Sequence, residues 1–169
     1  PERFHIDDLE SFYREAKARF DADSEFADAA RRAVVDLQSG DPVAHRLWEV
    51  FCTESLRHAH EIYERLGIRL VDRGESFYNP MLPQVVAEFQ ERGLAVEAEG
   101  AVCVFLPGFT NREGGPLPLI IRKSDGGYNY ETTDLAALRH RVDVEKAQRV
   151  IYITDIRQRQ HFEMCFAAA

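Results

Sequence analysis

Cysteine, positive charge and long apolar runs are all in short supply in this chain. Its three cysteines, Cys52, Cys103 and Cys165, are odd in number and far apart. They fall in no CxxC or Cys/His ligand spacing, which excludes a disulfide-stapled scaffold and predicts free thiols, buried or half-buried. Twenty-one Lys and Arg face 29 Asp and Glu, a formal net charge of −8. That balance excludes a free-standing nucleic-acid binder of the strongly electrostatic kind, because neutralising phosphates needs clustered cations. RNA contact as part of a larger protein stays open. No apolar run approaches the roughly 18 residues of a membrane span, and no charged-then-apolar leader opens the chain. The expectation is a soluble, cytoplasmic protein with no membrane partner. No P-loop or GxGxxG is present, and the pairs Gly114-Gly115 and Gly126-Gly127 alone are weak phosphate signals.

What remains is a chain of 169 residues, 45% hydrophobic, able to bury one sizeable core or one core with a helical annex. The first third reads as helix. Asp7 with Glu10 forms a capping-box-like pair, followed by Leu9, Phe12, Tyr13, Ala16 and Phe20 at three-and-four spacing. A second helix is predicted from Ser24 to Leu37, stopped by Gly40. A third starts at Asp41-Pro42 and ends at Gly67, a favourable cap at each end. On it, Trp48 with Phe51 reads as a core stripe or, less simply, a base-stacking platform. His58 and His60, two apart, point to different helix faces and do not suit a shared metal.

The period then changes. Ile68–Val71 is a strand candidate, Gly74–Pro80 a turn with an aromatic load, and Leu82–Arg92 a helix. Leu94–Glu97 and Ala101–Leu106 flank Glu99-Gly100 and predict a β-hairpin. Pro107–Pro116 is a Gly- and Pro-rich loop, and Leu117–Ile121 is a strand whose Pro118 suits a start or an edge. Ser124-Asp125-Gly126-Gly127 is a turn cluster, Thr132 and Thr133 offer an N-cap, and Asp134 then falls in the first turn of the helix. Arg149–Thr154 reads as a strand running into a helix near Asp155. A βα unit of this kind places polar residues at the strand's C-terminal end, where open α/β sheets take ligands.

Several of these runs resemble the catalytic domain of the arginyl-tRNA synthetases, a class I family. They are Ser124-Asp125-Gly126-Gly127, the group from Tyr130 to Ala136, and the run from Asp155 through Gln158 to His161-Phe162. Leu37-Gln38-Ser39-Gly40-Asp41 and Gly74-Glu75-Ser76-Phe77-Tyr78 join them, so the resemblance covers nearly the whole chain in order. It implies an α/β fold: part of a class I synthetase Rossmann-like nucleotide-binding fold, interrupted by a helical and β-hairpin connective insertion. Residues 1–66 would be helical insertion, 67–116 an α+β connective segment with the hairpin, and 117–169 the Rossmann-like catalytic portion.

The same resemblance implies an enzyme that activates arginine with ATP and passes it to tRNA(Arg), with Mg2+ expected alongside ATP and no tightly bound cofactor. It carries arginine binding onto Tyr130, Asp134 and Gln158, and places His161 and Phe162 beside the adenosine of ATP. From the residues alone, Asp134 reads as a helix-start carboxylate, Gln158 as a solvated side chain, and Phe162 with Phe166 as an i,i+4 core pair. Lys123 and Asp125 would belong to an active-site loop, where Lys123 meets a phosphate or the tRNA end, or is a plain loop lysine. The family's HIGH-type and KMSKS-type signatures are absent from this sequence, so no catalytic residue is assigned. The expectation is a fragment of a longer synthetase, inactive by itself. The alternative is a non-catalytic α/β module of the same descent that binds a ligand or RNA.

Overall fold

A computed structural model describes residues 9–169. Backbone contacts divide the chain into two units, one ending at Val71 and one running from Asp72 to Ala169.

The first unit is helical: α1 (Leu9–Ala22), α2 (Ser24–Gln38) and α3 (Pro42–Leu66). Local chemistry sets the boundaries. Asp23 accepts from the amides of Glu25 and Phe26, both at 3.0 Å, so it caps α2. Asp41 does the same for α3 through Val43 and Ala44, with Pro42 in the first turn. Gly67 ends α3 at φ 66°, a left-handed conformation that costs a glycine little. The predicted Asp7 cap lies outside the described residues. The apolar stripes are less buried than their period suggests: Val43, Leu47 and Val50 on α3 stay 40–56% exposed, and Phe51 is 37% exposed beside Phe12. Trp48 is half-buried against His45, ring to ring at 5.1 Å. His58 lies 3.3 Å from the buried carboxylate of Glu54, which also takes Arg57 at 2.6 Å, while His60 stacks beside Tyr63.

The second unit holds the packed core. A 3-10 helix (Glu75–Met81), α4 (Leu82–Glu91), α5 (Tyr130–Asp143) and α6 (Arg159–Ala168) accompany a three-stranded antiparallel sheet. Its strands are β1 (Val96–Ala98), β2 (Ala101–Thr110) and β3 (Pro116–Arg122), in the order β1-β2-β3. Glu99 and Gly100, at φ 51° and 79°, make the two-residue hairpin turn whose twist matches its strands. Beyond Phe105 the register shifts, and β2 continues to Thr110 through part of the predicted loop. Asn111 closes the remainder by accepting from the amides of Glu113 and Gly115. Val102 and Val104 of β2 and Leu119 and Ile121 of β3 pack with Leu135, Ala136, Met164 and Cys165 from the helices.

Three local expectations give way. Helix α5 begins at Tyr130, with Asn129 as the cap residue, not at Thr132 or Thr133. The reason is tertiary: Thr132 Oγ1 donates to the carbonyl of Ile121 at 2.5 Å, and Thr133 Oγ1 turns back to Asn129 at 3.5 Å. Asp134 is thereby moved from the first turn to the second, and Glu131 is the first-turn acid. Arg149–Thr154 forms no strand, nor does Ile68–Val71. Ile151 and Ile153 are 75% and 94% exposed, and among the described residues no strand pairs with that segment. A β-run is stabilised by its neighbours, so period and propensity alone do not make it a strand. The cysteines are free thiols, Cys103 and Cys165 buried and Cys52 half-buried.

Candidate functional site

The first turns of α5 and α6 bring the candidate residues together. Thr132, fully buried, ties the start of α5 to β3 and so fixes Tyr130 and Asp134 relative to the sheet. Asp134 lies one turn beyond Tyr130, on the same helix face. From α6, the His161 ring enters between them: its Nε2 is 2.6 Å from Asp134 Oδ2, and its ring meets that of Tyr130 edge-on at 4.7 Å. The carboxylate only accepts, so Nε2 carries the proton and donates. One turn later on α6, Cys165 Sγ lies 3.6 Å from Nε2 and 3.8 Å from Nδ1 of the same ring. His161 is nearly buried, with its side chain 12% exposed, whereas Asp134 keeps 27% and opens to solvent.

Negative charge is concentrated here. The Glu131 carboxylate beside the Tyr130 phenol, aided by burial, pushes that phenol above its ordinary pKa. Burial first, then Asp134 and Glu131, push the Cys165 thiol up to about 12. Glu131 Oε2 is buried without a hydrogen-bond partner. Such an oxygen in a low-dielectric setting favours a cationic or strongly donating ligand.

Phe162 points to a neighbouring aromatic cluster. It meets Tyr152 at 4.9 Å and Phe166 at 5.8 Å, and Arg141 lies over the Tyr152 ring and bonds its hydroxyl. The i,i+4 pair with Phe166 is therefore present, although Phe162 also touches the His161 ring at 4.8 Å. Gln158 is exposed at the junction of a 3-10 turn (Ile156–Gln158) with α6, and it forms no hydrogen bond to Tyr130 or Asp134. Beside it, a cleft of about 420 Å³ is lined by Gly108, Thr110, Arg157 and Arg159. Its two arginines are paired with Asp155 and Glu163.

Lys123 and Asp125 lie on a tight turn after β3. Asp125 Oδ1 accepts from the Gly127 amide at 2.8 Å, and that bond, helped by Lys123, holds its carboxyl below the usual range. Gly126 needs its φ of 85°, and a Cβ on Gly127 would come within 2.9 Å of Lys123 Cε. Lys123 is exposed, with Nζ 3.5 Å from Asp125.

The geometry thus joins Tyr130, Asp134 and His161, keeps Phe162 at their edge, and leaves Gln158, Lys123 and Asp125 on the surface. Sequence reading missed Glu131 and Cys165. The signal for Cys165 was available: it follows His161 by four residues, a spacing that puts both on one helix face and corrects the statement that no Cys/His ligand spacing exists.

Residues 2–169 match the family model described as tRNA synthetases class I (R), catalytic domain. The arginine–tRNA ligase of Synechococcus elongatus is 56% identical over 169 residues, all of this chain, and that of Nostoc punctiforme is 55% identical over 164 residues, 97% of it. The chain spans 29% and 28% of those two proteins' lengths. Among solved structures, the arginyl-tRNA synthetase of Plasmodium falciparum superposes with a TM-score of 0.78 at 32% identity, covering 98% of this chain and 26% of that one. A family model that matches essentially every residue, with the core and helix order to accompany it, leads to one assignment: the chain belongs to the class I tRNA synthetase (R) catalytic-domain family.

Proposed function

We propose that this chain supplies the arginine-recognition face, and one wall of the ATP site, of an enzyme that activates arginine with ATP and transfers it to tRNA(Arg). The observation that carries the reading is the half-open carboxylate of Asp134, one turn beyond Tyr130 on the same helix face, with the Tyr130 and His161 rings in contact beside it. A guanidinium is a planar fork of donors, and a carboxylate accepts two of them in parallel. Arginine would displace His161 from Asp134 and lay its guanidinium across the Tyr130 face. Gln158 closes the site from α6 by turning inward. The released His161, with Phe162 beside it, meets the purine of ATP. In this reading residues 117–169 are the Rossmann-like portion, residues 1–66 and 67–116 are inserted connective segments, and the enzyme works in the cytoplasm.

The chemistry has two steps. The arginine carboxylate attacks the α-phosphate of ATP and pyrophosphate leaves; the terminal ribose hydroxyl of the tRNA then takes the arginyl group. Both depend on positioning and on stabilising developing charge. These residues hold the arginine side chain, and Lys123, on its exposed turn, is placed to meet a phosphate or the tRNA end. The cluster of one carboxylate, one imidazole and one thiol does not suit Mg2+, which prefers oxygen donors and would be held here by the ATP phosphates and water.

The test is Asp134→Asn in the full-length protein, read by arginine-dependent ATP–pyrophosphate exchange with tRNA present. Losing a charge-assisted bidentate contact should raise the arginine requirement at least about tenfold and leave ATP affinity unchanged. An unaltered arginine requirement removes Asp134 from the site.

A further inference from the structure

We propose that Asp134, His161 and Cys165 form a binding site for a thiophilic divalent cation of the zinc class. The metal site stands on its own geometry; only its competition with arginine rests on the reading of Asp134 given above.

One carboxylate oxygen, one imidazole nitrogen and one sulfur lie within 4.8 Å of one another. They come from two helices whose relative position is fixed by a shared core, since Leu135 and Ala136 of α5 pack in the same cluster as Met164 and Cys165 of α6. A tetrahedral zinc ion with the usual bond lengths, about 2.0–2.1 Å to nitrogen and about 2.3 Å to sulfur, sets its N and S ligands roughly 3.6 Å apart. Cys165 Sγ and His161 Nε2 are 3.6 Å apart. The edge from His161 Nε2 to Asp134 Oδ2 is 2.6 Å and must open to roughly 3.3 Å, and the third edge, Asp134 oxygen to Cys165 Sγ, lies within 4.8 Å against roughly 3.5 Å around a zinc ion, so the carboxylate has to rotate to meet both. Binding releases the thiol proton and shifts the imidazole proton from Nε2 to Nδ1, so that a thiolate and a neutral ring meet the cation.

The surroundings favour a cation. Asp134 and Glu131 are the charged groups that act on the Cys165 sulfur, and no Lys or Arg is among them. The nearby Arg141 is engaged with the Tyr152 ring and hydroxyl. Glu131, whose carboxylate adds to the negative field on Cys165, has a buried oxygen with no hydrogen-bond partner. Nitrogen and sulfur donors select zinc-like ions over Mg2+ or Ca2+. Three protein ligands with a solvent-open carboxylate leave the fourth position to water, as in zinc sites that exchange ligands. Because the metal takes the same Asp134 oxygen that the guanidinium needs, zinc and arginine exclude one another.

The experiment uses the full-length protein, stripped with a chelator and titrated with Co2+, beside Cys165→Ser and His161→Ala. In the wild type, a thiolate-to-cobalt charge-transfer absorption should appear at one equivalent. It should vanish in Cys165→Ser, with cobalt affinity lowered by more than about 100-fold, beyond what loss of an outer partner costs. Saturating arginine should abolish the wild-type band. A band that depends on Cys165 yet ignores arginine keeps the metal site and sinks the placement of arginine on Asp134. No thiolate band in the wild type, or the same band in both variants, overturns the proposal. If Cys165→Ser does not fold, His161→Ala decides alone, because it leaves the buried sulfur in place and must still lose the tight site.

Discussion

Thr132 and Ile121 are joined by a hydrogen bond of 2.5 Å from the threonine hydroxyl to the strand carbonyl, and both residues are fully buried. The bond explains why a residue suited to capping a helix sits inside one: its hydroxyl satisfies an edge-strand carbonyl that has no water to turn to. Thr132→Val preserves the shape and removes the donor. It should cost about 1–3 kcal/mol, the usual penalty for stranding a buried polar group. Chemical denaturation followed by a probe in α5 measures it, and Thr132→Ser should recover most of the loss. A valine variant as stable as the wild type would mean the carbonyl finds another donor.

His161→Ala separates two roles of one ring. It removes the proposed purine contact and also uncovers Asp134. ATP affinity should fall about tenfold, the worth of one good contact. Arginine affinity should hold or improve, because the guanidinium no longer has to displace an imidazole. Equilibrium binding of each ligand alone reads both, and unchanged ATP affinity counts against placing adenosine beside α6.

The turn after β3 should be sensitive to acid. Hydrogen bonding from the Gly127 amide lowers the Asp125 pKa in the folded chain. A depressed carboxylate contributes stability above its unfolded value of about 3.9, and that contribution is lost as pH falls through the folded value. The turn should therefore stay closed at neutral pH and loosen only in the acid range below about 4. NMR titration of the Asp125 carboxyl carbon is the direct measurement; a midpoint at or above the ordinary value would contradict the geometry.

Helix ends and the hairpin were legible because their causes are local. Asp41-Pro42, Gly67 and Glu99-Gly100 act through backbone atoms within a few residues. The start of α5 was not, since the hydroxyl of Thr132 answers to a strand eleven residues earlier. Arg149–Thr154 has the composition of a strand, but composition supplies no partner. At the site, Tyr130, Asp134 and His161 could be named from their runs, whereas their meeting depends on how α5 and α6 pack. Glu131 was read only as part of a run, and its buried oxygen is visible only in three dimensions.

The 169-residue chain, purified free of host synthetase, should show no arginine-dependent pyrophosphate exchange even with tRNA present. Each 1.4 kcal/mol of barrier is about tenfold in rate, and a phosphate-stabilising signature is worth roughly 3–4 kcal/mol. The sequence has neither family signature, so the expected shortfall is about 6–8 kcal/mol, on the order of 10^4- to 10^6-fold in rate, before any loss of binding. Measurable turnover would place the catalytic groups within these residues.

The exposed segment from Arg149 to Thr154 has a consequence for how copies of the chain behave at high concentration. Tyr152 holds one side against Phe162 and Phe166, while Ile151 and Ile153 face solvent. It presents an unpaired edge: it belongs to no strand, and among the described residues no strand pairs with it. An edge of that kind is a template for a second strand, from the same chain or another. At β3 the Thr132 hydroxyl already occupies the carbonyl of Ile121. Self-association should therefore begin at the isoleucine segment rather than at the sheet, and a charge introduced at position 153 would suppress it.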